Sequence, residues 1–138
     1  MMINGLKFFP SWRTLGYGLI LLVIYLSLTP APLNIPIENG DKLGHGMAYA
    51  TLMVWFAWLY PNILIQWICA MGFVALGVGL EFAQDLTDYR TFELADMAAD
   101  TMGVALGWTT ALLPFPNLLS CLERCLSKIG TFLWDSRK

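Results

Sequence analysis

The chain has 138 residues, of which 57% are hydrophobic and only 13% are charged. Because ordinary soluble domains carry roughly a quarter charged residues, this composition, with a mean hydropathy of +0.60, argues against a soluble protein and for one membrane domain over residues 1–138. The net charge of −2 argues against a nucleic-acid partner, which would require a concentrated basic surface.

Three stretches lack Asp, Glu, Lys and Arg: 14–37, 43–80 and 101–122, with 24, 38 and 22 residues. A bilayer core about 30 Å thick requires about 20 apolar residues per helix, so the second stretch is long enough for two spans. Pro61 and Asn62 supply the break between them. The sequence therefore predicts an all-α integral membrane bundle of four transmembrane helices, at about 13–29, 43–60, 63–82 and 94–114.

The first predicted helix, 13–29, also has the composition of a signal peptide, with Lys7 and Arg13 as its charged region. Pro30 directly follows the plausible cleavage point, and further apolar stretches follow in place of a soluble domain. We therefore favour a span that ends at the proline-rich connection 29–36.

Residues 117–134 have the pattern of an amphipathic helix. Glu123, Arg124, Ser127 and Lys128 occupy one side, and the other side carries apolar residues at helical spacing. This pattern predicts a helix that lies in the membrane interface, or one that packs back on the bundle. Cys121 and Cys125 on this helix are read as free thiols, with a metal pair or a palmitoylation site as alternatives.

The basic residues predict the orientation. Four spans place both termini on one side, together with six of the eight basic residues, while Lys42 and Arg90 lie on the other side. Eight of the ten acidic residues lie between Glu38 and Asp100. Because basic residues favour the cytoplasmic side, both termini are expected to be cytoplasmic.

The second predicted helix carries Lys42, His45 and Tyr49 at spacings of 3 and 4, which place them on one helix face near its outer end. Ionisable groups that enter the membrane are costly and usually need a partner or a function. Lys42 by itself is also explained as a snorkelling anchor, and His45 as a packing histidine.

The third predicted helix brings Glu81 and Gln84 to the same level, and the following loop adds Arg90. The fourth helix carries Asp96 and Asp100 at i and i+4. Gly103 and Gly107 continue this stripe, and because small residues four apart allow a close approach, the stripe is expected to face a neighbouring helix.

These polar residues resemble the VanZ-like membrane proteins over 41–107, about half of the chain. The resemblance rests on Asp41, Lys42, His45 and Tyr49, then Glu81 and Gln84, then Arg90, Asp96, Gly103 and Gly107. It implies a multi-pass protein of the bacterial cytoplasmic (inner) membrane. Resistance to a glycopeptide antibiotic is implied only through the member that names the family. Asp100 departs from the pattern, because the family usually has Asn there, and the departure adds a potential negative charge.

Two hypotheses follow for the polar residues. In the first, they form a pocket at the outer membrane face that acts on or binds an envelope lipid, a lipid-linked sugar or a glycopeptide-type ligand. Glu81, His45 and Asp100 are then the catalytic candidates. The candidate substrate-binding residues are Lys42, Tyr49, Gln84, Arg90 and Asp96. No cofactor and no metal ligand are assigned, although one His and three acids would in principle suit a divalent cation.

In the second hypothesis, the protein is a non-catalytic structural or assembly protein. Its charged residues then neutralise one another as a buried ion-pair network that determines helix register. The expected partner is membrane lipid in either case. A transporter is disfavoured, because four short helices without broken segments offer little for alternating access.

Overall fold

The computed structural model describes residues 6–30, 40–88, 91–114 and 117–135, with side chains as far as residue 129. All regular structure in these ranges is α-helical. The five helices are α1 (Phe9–Leu28), α2 (Gly40–Leu59), α3 (Ile63–Asp85), α4 (Leu94–Leu112) and α5 (Leu118–Asp135).

Of these helices, α1 and α3 alone are long and apolar enough to cross a membrane, with mean hydropathies of 1.4 and 2.1. The expectation of four transmembrane helices is therefore wrong. α2 begins with Gly40, Asp41 and Lys42 and continues through His45. α4 contains two aspartates and three threonines. Counting only charge-free length overlooked these uncharged polar residues and the charges at the helix starts, all of which lower the hydropathy of α2 and α4.

Asparagines begin two helices at the same end of the molecule. The break at Tyr60, Pro61 and Asn62 lies where the sequence predicts it, and the Asn62 side chain accepts hydrogen bonds from the amides of Leu64 and Ile65 at 2.9 and 3.4 Å. Asn117 accepts from the first amides of α5 at the same two distances. Both side chains satisfy N–H groups that have no partner inside the helix.

α2 is the central helix and packs against each of the other four. It supplies most of the main core, whose buried residues are Tyr49, Leu52, Met53, Phe56, Ala57, Ala70, Phe73 and Val104. Because α2 and α4 both start at the end where α3 finishes, this end of the bundle collects the polar residues of three helices.

Glycines bring α2 and α4 together. A Cβ atom on Gly103 would overlap the carbonyl oxygen of Gly46, and one on Gly107 would overlap that of Ala50. The prediction that this stripe faces a neighbouring helix is confirmed. The close approach leaves little space between the two backbones, so the side chains one turn away, including Asp100, are held against α2.

As far as its side chains are described, α5 packs on the bundle through one side. Leu119 is fully buried with Leu6 and Leu59, and Glu123 is 8% exposed. The apolar side chains on the neighbouring face stay exposed: Leu118, Leu122, Leu126 and Ile129. The helix is therefore docked on the bundle and still presents an apolar stripe outward.

Candidate functional site

Six ionisable side chains lie together where α2 and α4 begin and α3 ends. We call them the polar cluster: Lys42, His45, Glu81, Glu93, Asp96 and Asp100. Lys42 and His45 are on α2, Glu81 is on α3, Glu93 precedes α4, and the aspartates occupy its first two turns. Three separate helix ends therefore build this site.

Lys42 is the central cation of the cluster. Its Nζ lies 2.9 Å from a carboxylate oxygen of Glu93, 3.1 Å from Asp41 and 3.6 Å from Asp96. Hydrogen bonds to Glu93 and Asp41 raise the pKa of Lys42 above its ordinary value, and the same contact lowers the pKa of Asp41. Lys42 is therefore charged and joins the start of α2 to the start of α4.

His45 pairs with both aspartates of α4. Its Nδ1 lies 3.1 Å from Asp100 Oδ1, and its Nε2 lies 3.9 Å from Asp96 Oδ2. The Asp100 carboxylate fits because Gly77 on α3 has no side chain, since a Cβ there would lie 2.6 Å from Asp100 Oδ2. The His45–Asp100 pair is mostly buried, with side chains 15% and 5% exposed.

Glu81 and Gln84 are directed to backbone groups. The Glu81 carboxylate accepts a short hydrogen bond from the backbone N–H of Glu93. The Gln84 Nε2 donates to the carbonyl of Ser27 at the end of α1, at 2.7 Å. Both side chains are 2% exposed, so each fixes a chain segment around the cluster.

Within the described residues, two buried polar atoms have no hydrogen bond: the hydroxyl oxygen of Tyr49 and Oδ1 of Asp96. Tyr49 is 1% exposed and lies one helical turn below His45. Burial, together with the charge of Asp100, raises the pKa of Tyr49, so the phenol keeps its proton and remains a donor. Most buried polar atoms in proteins form a hydrogen bond, so a buried polar atom without one requires an explanation, such as a bound ligand.

Three carboxylates at the edge of the cluster have the spacing of a cation site. Oxygens of Asp41, Glu93 and Asp96 lie within 4.8 Å of one another. Oxygen ligands at this spacing suit a hard cation such as Ca²⁺. The Lys42 ammonium contacts all three of them, so the carboxylates surround an ammonium group.

The structure brings together most of the site residues that the sequence predicts. Lys42, His45, Glu81, Asp96 and Asp100 lie in the cluster, Tyr49 lies beneath it, and Gln84 is turned to α1. Arg90 lies outside the described residues. Its predicted role stays a prediction.

Sequence reasoning missed Glu93 and Asp41 as site residues. Glu93 occupies the cap position of α4 and is in extended conformation, where it makes no side-chain cap bond to its own helix. An acidic residue at a helix start is normally explained by its interaction with the helix dipole. That explanation does not suggest the contact that Glu93 makes with Lys42, 51 residues earlier in the chain. Asp41 was noted only as part of a motif.

A second group of polar contacts lies at the other end of the bundle. Glu123 on α5 accepts hydrogen bonds from the backbone amides of Lys7 and Phe8, both at 2.7 Å, and from Trp12 Nε1 at 2.8 Å. Burial alone would raise the pKa of Glu123, but these three hydrogen bonds outweigh it and lower the pKa. The sequence pattern marked Glu123 only as a residue of the polar side of α5.

Comparison with known proteins identifies one informative relative. An uncharacterised protein of the fungus Schizosaccharomyces pombe is 31% identical to the chain over an alignment of 114 residues, which covers 77% of this chain and 67% of the relative. No protein-family model and no solved structure matches the chain. The resemblance to VanZ-like proteins therefore stays a prediction.

The fungal relative contradicts the localisation expected from the sequence. A bacterial cytoplasmic (inner) membrane does not fit a relative from a eukaryote. The multi-pass topology with both termini cytoplasmic was derived from four spans, and among the described helices two are candidates to span a membrane. The orientation argument therefore fails together with the topology.

Proposed function

We propose that this chain, which belongs to the same family as the uncharacterised Schizosaccharomyces pombe protein, is a membrane-embedded helical protein. Its polar cluster binds the amine-bearing headgroup of a phospholipid. Such a ligand is not confined to bacteria. It is therefore compatible with a family that has a fungal member.

The outer surfaces of α1 and α3 support a membrane environment. Their most apolar 18-residue windows are only 11% and 22% buried, whereas a core helix of a soluble protein would be mostly buried. Leu21 on α1 and Leu64 on α3 are each 66% exposed. Apolar side chains that face outward along whole helices are expected in contact with lipid.

The charges of the cluster support a ligand with an ammonium group. Together with Asp41, the described cluster contains five carboxylates against Lys42 and His45. The Lys42 ammonium already lies among three of the carboxylates. This contact indicates that the local geometry suits a primary amine, and the excess of acids leaves negative charge for a second amine to neutralise.

The observation that most favours a ligand is the unused hydrogen-bonding capacity of Asp96 and Tyr49. Oδ1 of Asp96 is a buried acceptor that lies 3.6 Å from the Lys42 ammonium, beyond hydrogen-bond distance, and the hydroxyl of Tyr49 is a buried donor. Neither atom has a hydrogen bond to a residue that the structure describes. A phosphoethanolamine headgroup matches both groups. Its ammonium donates to the carboxylate of Asp96, and its phosphate oxygens accept from the hydroxyl of Tyr49. Binding alone uses these groups, and no reaction is required.

A second candidate function is structural. Lys42 forms an ion pair with Asp96 of α4, and His45 contacts both aspartates of that helix, so the cluster also qualifies as a network that holds α2, α3 and α4 in register. In that case the cluster stabilises the fold and has no preference among lipids.

Native mass spectrometry of the full chain in detergent micelles separates these functions. The lipids to compare are phosphatidylethanolamine and phosphatidylcholine with identical acyl chains, because choline has no N–H to donate. We expect about tenfold tighter retention of phosphatidylethanolamine, the size of one charge-assisted hydrogen bond. Equal retention of the two lipids by the native chain would reject lipid recognition at the cluster and favour the structural network.

Two variants locate the effect. Asp96→Asn removes the negative charge that attracts the ammonium, and Tyr49→Phe removes the phenol hydroxyl; both variants are expected to reduce the preference for phosphatidylethanolamine. Asp85→Asn and Tyr25→Phe make the same chemical changes at exposed positions outside the cluster, so they should retain the native preference. If both pairs of variants behave alike, the lipid is bound elsewhere.

A further inference from the structure

A cavity lies at the end of the bundle opposite the polar cluster, between the start of α1 and the middle of α5. Its volume is about 320 Å³, and its walls are formed by Lys7, Phe8, Ser120, Glu123, Arg124 and Ser127. Two of these residues are cations, two are hydroxyl-bearing, and one is an acid.

The two cations of this cavity are available for a ligand. Lys7 Nζ lies 5.4 Å from the ring centre of Phe8, and the Arg124 guanidinium donates to the sulfur of Cys121 at 3.2 Å. Among the described residues, neither one forms an ion pair with a carboxylate. Both side chains are exposed, so an anion can reach them.

The acid of the cavity is already matched. Both carboxylate oxygens of Glu123 accept hydrogen bonds, from the amides of Lys7 and Phe8 and from the Trp12 indole. These donors direct the carboxylate toward the start of α1. Counting Lys7, Arg124 and Glu123, the lining keeps one positive charge in excess.

An apolar surface borders the cavity. On α5 the cavity residues Ser120, Glu123 and Ser127 share one face, and the exposed stripe Leu118, Leu122, Leu126 and Ile129 lies on the adjacent face. A ligand with an anionic head and an acyl tail would match both surfaces.

We propose that this cavity binds the phosphate group of an anionic phospholipid, with the acyl chains lying along the apolar stripe of α5. Lys7 and Arg124 neutralise the phosphate, and the Ser120 hydroxyl in the cavity wall adds a hydrogen bond, whereas the Ser127 hydroxyl donates to the carbonyl of Arg124. The match of a cationic cavity to an adjoining apolar face favours a lipid over a soluble phosphate. This site is separate from the polar cluster and does not depend on the function proposed for it.

The test is lipid retention by the full chain in micelles, with phosphatidylglycerol compared with phosphatidylcholine of the same acyl chains. We expect the native chain to prefer phosphatidylglycerol. The double variant K7Q/R124Q should weaken its retention about 30-fold, which corresponds to about 1 kcal/mol for each cation near an anionic lipid. Raising the salt concentration should weaken retention by the native chain in the same direction.

Lys128→Gln is the matched control, since Lys128 is a basic residue of α5 that does not line the cavity. It should change retention less than twofold. Lys7→Gln alone keeps the backbone amide that binds Glu123, so it is expected to fold and to show about half of the effect in free energy. Equal retention of the two lipids by the native chain, or a native preference in the double variant, would overturn the proposal.

Soluble glycerol phosphate distinguishes a lipid from a free anion. If glycerol phosphate at equal concentration displaces phosphatidylglycerol completely, the site recognises the phosphate alone and the assignment to a lipid is wrong. Retention of the lipid under that competition supports the role of the apolar stripe.

Discussion

The two ends of this bundle hold their charges in opposite ways. In the polar cluster the basic side chains are paired with acids, since Lys42 contacts three carboxylates and His45 contacts two. At the other end it is the acid that is matched, because Glu123 accepts three hydrogen bonds from the start of α1. Each end is therefore left with the charge that its own contacts do not neutralise, negative in the cluster and positive in the cavity.

This difference also separates a closed site from an open one. Asp100 and Glu81 are nearly inaccessible, whereas Lys7 and Arg124 are exposed. A ligand at the polar cluster has to insert between helices. A ligand at the basic cavity binds on the surface. Variants at the two ends should therefore differ in their effects on stability.

The largest effect is expected from Gly103→Val, which acts at the acidic end only. A side chain there overlaps the Gly46 carbonyl and separates α4 from α2, and we expect a loss of about 3 kcal/mol or more in the free energy of unfolding. Thermal unfolding of the purified chain measures it. Gly79→Ala is the control, because nothing lies within 4 Å of a Cβ there. Similar stability of the two variants would show that α2 and α4 do not need this close approach.

Glu123→Ala should act at the basic end only. It leaves the two backbone amides and the Trp12 indole without their acceptor, and we expect a loss of about 2–3 kcal/mol. Hydrogen exchange should accelerate in α5 and at the start of α1 and stay unchanged in α4. Glu123→Gln retains an acceptor oxygen and should lose less. Uniform acceleration throughout the chain would contradict the independence of the two ends.

Lys42→Met should lower the unfolding temperature, because it leaves the carboxylates of Asp41, Glu93 and Asp96 close together without their shared cation. Lys7→Met is the matched substitution at the other end. Lys7 has no ion pair among the described carboxylates, so its replacement should leave the unfolding temperature unchanged. Equal shifts for the two variants would remove the distinction between paired and available cations.

Asp100→Asn should have the smallest effect, about 1 kcal/mol or less. An asparagine oxygen can still accept from Nδ1 of His45, which lies 3.1 Å from the present carboxylate. Asp100→Ala removes the acceptor and should cost more stability. If thermal unfolding gives the same loss for Asn and Ala, the negative charge of Asp100 matters more than its hydrogen bond.

Local patterns predicted much of the molecule. The break at Pro61, the amphipathic helix near 117–134 and the inward stripe of Gly103 and Gly107 all follow from short-range spacing, and the structure contains each of them. The meeting of His45 with Asp96 and Asp100 also follows, since residues on one face of each helix were expected at the same level.

Other features were not predictable in this way. The number of spans was overestimated, because a charge-free stretch is not the same as an apolar one. Glu93 and Glu123 were missed because their partners lie 51 and more than 110 residues away in the chain. Helical periodicity relates residues within a few turns of one helix and does not predict contacts between residues so far apart in the chain.

The amino-acid sequence by itself determined the helices, their order and the segregation of charge toward the ends of the bundle, because these depend on residues within a few turns of one another. The tertiary structure decided which charges are neutralised. That outcome depends on how α2 meets α4 and how α5 meets α1, and the free energy of a buried charge depends on the groups that surround it. The acidic character of one end and the basic character of the other follow from those two contacts.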